Sequence, residues 1–419
     1  MSAEDIFIED VEQSDLKPGM EGQLVHSYQS MRSFPGSNRI EMRTIAFNNP
    51  SFGARTEVQI PSMDIIPHEM FIEFNLGAEG TVANALWQPT PTWVSGGGVD
   101  LNFKLRAVYN ASEAELLLCP QFDEEPKKWL AQQNSYAFNA AADSADVAQR
   151  LYLKLGPLAE QVLSKIGPLS SYASNDWSVA IDLKAENLCM AGSNATPDAA
   201  LSGMRLIILG SKAPPGEVQL ARQALEQNGI MWNFLRSTHQ RVTLTDNAAA
   251  STSYIQSYSD IVGAVSKIRL LIRNKALLDA TTNVVASKNN ISYQSYAGPN
   301  DLISVGKNSF PQEVYGQQMP QAFVRNFAAL NSNPLASRYL SSASTVATVD
   351  NGVFDISFGE SESDMKFGTS TGSYPVKNDL QIGLTIATDT VQDNYLDTIV
   401  YTHVRGVITS GYVNVNLSA

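Results

Sequence analysis

The sequence predicts a mainly β chain organised as two sandwich-sized halves. Three observations carry this. Apolar and polar residues alternate in segment after segment, the period of a strand with one dry and one wet face. Helical spacing is confined to a few short stretches. Pro214-Pro215-Gly216 reads as a hinge near the middle of the 419 residues. It leaves halves of about 160–200 residues, an ordinary domain size.

The elements follow in chain order. Residues 1–50 have little periodicity, and Asp5, Glu9, Asp10, Glu12 and Asp15 make their start acidic. They read as an extended arm without a core. Ile72, Phe74 and Leu76 then alternate with Glu73 and Asn75. The triple glycine at 96–98 opens a second strand in which Leu101, Phe103, Leu105, Ala107 and Tyr109 alternate with mostly polar neighbours. SADVAQRLYLKLGPLAEQVLSKIG (144–167) places Val147, Leu151, Leu155, Leu158 and Val162 near helical spacing. Gly156-Pro157 interrupts the run, so two short helices are expected there. Val179, Ile181 and Leu183 give another strand, and MRLIIL (204–209) a fully apolar one.

A helix follows the hinge prolines, with Val218, Ala221 and Leu225 on one face and Asn228-Gly229 as its C-cap. Beyond it Ile268, Leu270 and Ile272 alternate with Lys267, Arg269, Leu271 and Arg273. Leu302, Ile303 and Val305 lead into the turn Gly306-Lys307-Asn308, and residues 319–331 read as a helix. Val353, Ile356 and Phe358 form a strand, and Leu380, Ile382, Leu384 and Ile386 alternate without a fault. The sequence closes on LDTIVYTHVRGVITSGYVNVNLSA, strand upon strand. Termini usually fray unless a sheet holds them, so the last strand is expected to pair inside one. Long polar loops, at 184–202, 245–257, 281–300 and 361–378, are of a length usually functional or interface-forming.

Composition narrows the function. A formal net charge of −13 and a pI near 4.8 argue against sequence-specific nucleic-acid binding, because phosphate contacts need Lys and Arg. The acidic start lacks the basic, then apolar, pattern of a signal peptide, and no segment approaches ~20 apolar residues. A chain made in the cytosol, soluble and not secreted, is expected. Cys119 and Cys189 are too few and too far apart for a disulfide framework or a cysteine zinc site.

The search for catalytic and metal chemistry yields no site residues. His26, His68, His239 and His403 form no metal-ligand spacing. No nucleophile elbow, phosphate-binding loop or dinucleotide fingerprint is present. Asp123-Glu124-Glu125, followed by Pro126-Lys127-Lys128, reads as a solvated turn. Asp389, Asp393 and Asp397 recur at a spacing of four and are the first place to look for a Ca²⁺ site, though loop solubility explains them as well. Trp87 and Trp93 flank Pro89 and Pro91, a pattern of loop packing rather than of an aromatic binding platform. No catalytic residue, cofactor or metal is assigned.

The order of segments resembles the double jelly-roll major capsid proteins of tailless DNA viruses, a group that includes adenovirus hexons, virophages and Polinton-type elements. WVSGGGVDLNFKLRAVYNA (93–111), DLISVGKNSFPQ (301–312) followed by QAFVRNFAAL (321–330), GVFDISFG (352–359) and the run 378–415 carry the resemblance. It covers about the last two-thirds of the chain. It implies two jelly-roll β-sandwiches in one chain, with a few short helices and long loops. The arm would span 1–50, the first jelly roll 51–211 and the second 212–419. It also implies a non-enzymatic subunit forming pseudo-hexagonal homotrimers that tile an icosahedral virion shell. Its partners would be neighbouring capsomers, penton and minor capsid proteins and an internal membrane. The competing reading is a viral spike, fibre or carbohydrate-binding jelly roll, expected to present an aromatic groove or a Ca²⁺ site. An enzyme would need two carboxylates facing across a cleft, and no pair singles itself out.

Overall fold

The computed structural model describes residues 40–77, 86–87, 90–117, 148–191, 201–227, 229–244, 252–275, 279, 302–307, 310–318, 353–357, 374–386, 393–409 and 412–416. Its strands fall into two sets that do not mix. In the first half, β1 (Ile40–Ala46), β10 (Arg205–Lys212), β3 (Ile65–Leu76) and β7 (Gln149–Lys154) lie side by side in that order. The opposing sheet runs β2 (Arg55–Ile60), β8 (Trp177–Leu183), β5 (Val94–Phe103), β6 (Arg106–Ala111). A short ladder of β4 (Leu86–Trp87) and β9 (Met190–Ala191) lies beside them.

The second half repeats the plan. One sheet runs β11 (Ile230–Leu244), β19 (Asn394–Thr409), β13 (Val262–Asn274), β16 (Val353–Ser357). The other runs β12 (Thr252–Tyr258), β18 (Leu380–Ile386), β14 (Leu302–Lys307), β15 (Phe310–Gln318). Two short strands are added to this frame: β17 (Tyr374–Lys377) pairs β13, and β20 (Tyr412–Asn416) pairs β19. Ranked along the chain without β4, β9, β17 and β20, both halves give the orders 1-8-3-6 and 2-7-4-5. That is two face-to-face antiparallel sheets with the strand crossings of a jelly roll.

Period-2 alternation explains each core. Ile72, Phe74, Leu206, Ile208, Leu151 and Leu153 point from one sheet of the first barrel into Val58, Leu101, Phe103, Val179 and Ile181 of the other, and all are buried. In the second barrel Phe234, Ile268, Leu270, Leu396, Val400 and Val404 meet Tyr258, Leu380 and Ile382. The Tyr258 hydroxyl, buried in that core, lies 2.6 Å from Thr398 Oγ1.

Three local expectations change. Residues 149–154 form β7, not a helix: Leu151, Leu153 and Leu155 also alternate, and pairing with β3 buries them. Among the described residues of that stretch only the second predicted helix is found, as Pro157–Ile166, opened by Gly156 and Pro157. The strand read across 101–109 is a hairpin, because Phe103 pairs Arg106 around Lys104-Leu105. Residues 40–46, read as part of the arm, pair with β10 as a full sheet strand. Their signal is weak because an edge strand buries little: Ile40 and Met42 are exposed.

Other expectations match. The helix after the hinge prolines spans Pro215–Gln227 and buries Ala221 and Leu225, while Val218 is half-buried. Gly98 lies within β5 at a positive φ of 74°, and a Cβ there would lie 2.2 Å from the Ala111 carbonyl oxygen. The closing strand pairs Tyr412–Asn416 with Arg405–Thr409, extending the side of β19 that β13 occupies up to His403. The expected helix at 319–331, Asp123-Glu124-Glu125, His26, Cys119 and Asp389 lie outside the described residues.

Candidate functional site at the joint between the barrels

The two barrels meet through a short helix, α1 (Glu113–Leu117), which follows β6, and through α2 (Pro157–Ile166), which follows β7. A third helix, α3 (Pro215–Gln227), leads into β11. The apolar face of α2, Leu158, Ala159, Val162, Leu163 and Ile166, is buried. Its Gln161 reaches across the joint, where the side-chain oxygen accepts a 3.2 Å hydrogen bond from the Leu235 backbone N–H of β11. Arg222 of α3 donates from Nε and Nη2 to the Ser170 carbonyl at 3.1 and 2.6 Å.

Behind these contacts lies a buried layer of charge. Strand register puts Ser237, Tyr401 and Lys267 in one row, then His239, Ile399 and Arg269, then Arg241, Asp397 and Leu271. These residues alternate with the core residues of the second barrel, so they occupy its outer face. An outer face is normally wet. Here Asp397 is 0% exposed, Lys267 1% and Arg269 5%. Asp397 accepts from Arg241 Nε at 2.7 Å, and His239 Nε2 lies 2.7 Å from the same carboxylate oxygen.

The first barrel supplies part of the cover. Ser237 Oγ bonds the Glu115 carboxylate of α1 and lies 3.3 Å from the Asn110 carbonyl of β6. Burial pushes the Glu115 carboxyl up to about 8, against the hydrogen bond from Ser237 and the Arg269 charge, which pull it down. Its neighbour Glu113 receives Lys184 Nζ at 2.7 Å. Removing water from carboxylates and cations costs free energy, so such a layer persists where its members satisfy one another.

The residues singled out in sequence are distributed otherwise. Among the described residues no three His, Cys, Asp or Glu side chains gather to hold a metal ion. Asp397 is occupied by Arg241 and His239, and a spacing of four along an extended chain is about 13 Å, too long for shared coordination. His68 Nε2 lies 2.6 Å from Ser211 Oγ. His403 lies in β19, where burial lowers its pKa and favours the neutral ring. Cys189 is a buried thiol, not in a disulfide, whose Sγ lies 3.6 Å from the Ala185 carbonyl. Trp93 is fully buried, 5.0 Å from Phe74 and 5.2 Å from Trp87 between ring centroids. Trp177 packs on Phe103 at 4.9 Å. These tryptophans are core, not a binding platform.

Sequence reasoning missed Glu115, Ser237 and Arg241. The only available signal was the alternation of Lys267 and Arg269 with Ile268 and Leu270, which located the face but not its cover.

No protein-family model and no curated protein matches the sequence. Solved structures do match in fold. PBCV-1 VP54, fitted into a reconstruction of the virophage Sputnik, superposes with a TM-score of 0.65 at 10% identity, over 91% of this chain and 98% of that one. The Faustovirus major capsid protein gives 0.58 at 10% identity, over 98% and 99% of the two chains. A chain of the Sputnik virophage structure gives 0.52 at 12% identity, over 92% and 89%. With the strand order 1-8-3-6 and 2-7-4-5 in both halves, the chain has the double jelly-roll fold of this lineage of viral major capsid proteins.

Proposed function

We propose that this chain is a structural major capsid protein. It forms pseudo-hexagonal homotrimers that tile an icosahedral shell. The observation that carries the reading is the repetition of one jelly-roll topology in both halves, at the full length of the capsid proteins it superposes on. A chain with two equivalent barrels supplies six barrels as a trimer, a shape that packs hexagonally from three copies. The role is structural and uses no catalytic residue, cofactor or metal.

The proposed organisation is an N-terminal arm at 1–50, a first jelly roll at 51–211 and a second at 212–419, with β1 of the arm region joining the first sheet. The proposed partners are neighbouring capsomers, penton and minor capsid proteins and an internal membrane. The net charge of −13 supports a surface without sequence-specific nucleic-acid contacts. The proposed location is the virion, after synthesis inside the host cell.

Electron microscopy of the purified protein, with its mass in solution, tests the reading. Particles of three copies with a hexagonal outline are the expected result. A monomer at all concentrations that binds glycans would overturn it in favour of a spike, fibre or carbohydrate-binding module.

A further inference from the structure

The first barrel has an outer sheet face that corresponds, strand for strand, to the buried charged face of the second. By rank, β1 corresponds to β11, β10 to β19, β3 to β13 and β7 to β16. On the first barrel the register gives one row of Met42, Leu209 and Glu69, and another of Thr44, Ile207, Phe71 and Lys154. Ile40 extends the patch along β1. Ile40 is 81% exposed and Met42 63%, while Ile207, Leu209 and Phe71 are half-buried. Charge borders this apolar centre. Lys154 Nζ lies 3.0 Å from Glu69 and 2.7 Å from Glu160, and Arg150 lies 3.8 Å from Glu73. An apolar centre within a polar rim is the anatomy of a protein interface.

The structure also displays a way to cover such a face. Within the chain, the corner of the first barrel formed by β6 and α1 sits on the corresponding face of the second barrel, through Asn110, Glu115 and Ser237. That contact is head-to-tail: a corner of one barrel on a sheet face of the next. Heterologous contacts of this kind repeat, and they close into a ring when the rotation permits. Among the described residues the chain makes the contact once, and none of them covers the first barrel's face.

We propose that this face, centred on Met42, Ile207, Leu209 and Phe71, binds the second barrel of another copy of the chain, at the end of β15, the counterpart of β6. The inference rests on the trimer reading and deepens it by assigning the surface between copies. Two successive contacts around the ring then differ in chemistry. The one inside the chain is charged and buried, and the one between chains is apolar.

The test is the full-length double variant Ile40→Asp/Met42→Asp, studied by size-exclusion chromatography with light scattering and by thermal melting. Both side chains are largely exposed, so the monomer fold should melt as in wild type. Association should weaken at least tenfold, with monomer replacing trimer. A folded double variant that stays trimeric at wild-type concentrations overturns the proposal and leaves the trimer reading standing. A wild type that is monomeric at all concentrations overturns both. A second measurement keeps the test independent of the double variant. In Met42→Cys the new thiol should be blocked in the trimer and reactive after dilution to monomer, above the signal from Cys119 and Cys189. A thiol that stays blocked in the dilute monomer would mean that the chain's own residues 1–39 occupy the face, and would overturn the proposal.

Discussion

The outer face of the first barrel's β1–β10–β3–β7 sheet carries Met42, Ile207, Leu209 and Phe71, whereas its counterpart in the second barrel carries Ser237, Lys267, Arg269 and Asp397. Strand order is the same and both faces point away from their own core. The difference lies in what covers them. The second face is buried, in part by the first barrel of the same chain, which is always present at a fixed geometry. Buried charge needs such a partner, since each ion must find its counter-ion once water is removed. The first face has no such partner within the described residues. An apolar surface with only a charged rim can be wetted in the free protein at modest cost, and gains when another surface arrives. If the proposed trimer forms, one topology serves two assembly stages, and the side chains mark which is which.

The sharpest way to break this contrast is to remove the centre of the buried charged layer. Asp397→Ala leaves Arg241 and His239 facing a site from which the carboxylate is gone. Asp397 is fully buried while Arg241 is about one-third exposed, so the cost should lie at the lower end of that for breaking a buried pair, about 3 kcal/mol. Chemical denaturation measures it. A loss below about 1 kcal/mol would mean that the layer is wetter than its burial implies. Removing an exposed charge at the first barrel's edge, as in Arg43→Ala, whose side chain is 55% exposed, should stay within about 0.5 kcal/mol.

Glu115 gives the next largest effect, through pH. Its folded-state pKa is raised to about 8 from an ordinary 4.5. The native state therefore holds a proton that the unfolded chain releases. The stability tied to that proton is fully present below about pH 4.5, declines as pH rises, and is lost once pH passes about 8. Between pH 6 and pH 8 the wild type should lose about 2 kcal/mol relative to Glu115→Gln, which keeps the shape and cannot ionise. Denaturation of both proteins at the two pH values checks this. A difference that stays constant with pH would place Glu115 in an ionised, solvated setting and remove it from the joint.

How far these features were legible in sequence also divides between the halves. Core faces announced themselves wherever alternation was clean, as at 72–76, 179–183, 268–272 and 380–386. The stretch 149–155 misled because Leu151, Leu155, Leu158 and Val162 fit a helical stripe while Leu151, Leu153 and Leu155 fit a strand. Pairing with β3 decided between them. The joint was not legible. Glu115, Ser237 and Arg269 each look like ordinary solvated residues in their own segments. Their burial comes from a partner more than 100 positions away, and Glu115 and Ser237 are 122 apart. Lys267 and Arg269 were read on the side away from the core, which is right, but that side is not wet.

The last contrast concerns one hairpin in each barrel. In the second barrel Gly306 and Lys307, read from the sequence as turn residues, belong to β14, and Lys307 pairs Phe310 across the hairpin. In the first barrel the matching turn between β5 and β6 is Lys104-Leu105, with φ of 46° and 64°. Two-residue hairpins of this kind need both central residues at positive φ and favour Asn-Gly. Leucine has no local means of offsetting that conformation, and Leu105 is 79% exposed, so packing recovers little. Leu105→Gly relieves the left-handed strain, about 1 kcal/mol, and adds back part of that as freedom in the unfolded chain. A net gain of about 0.5 kcal/mol should result, seen as a small rise in the denaturation midpoint with an unchanged slope. A loss instead would mean that the exposed Leu105 side chain contributes a contact in the assembled protein that glycine cannot replace.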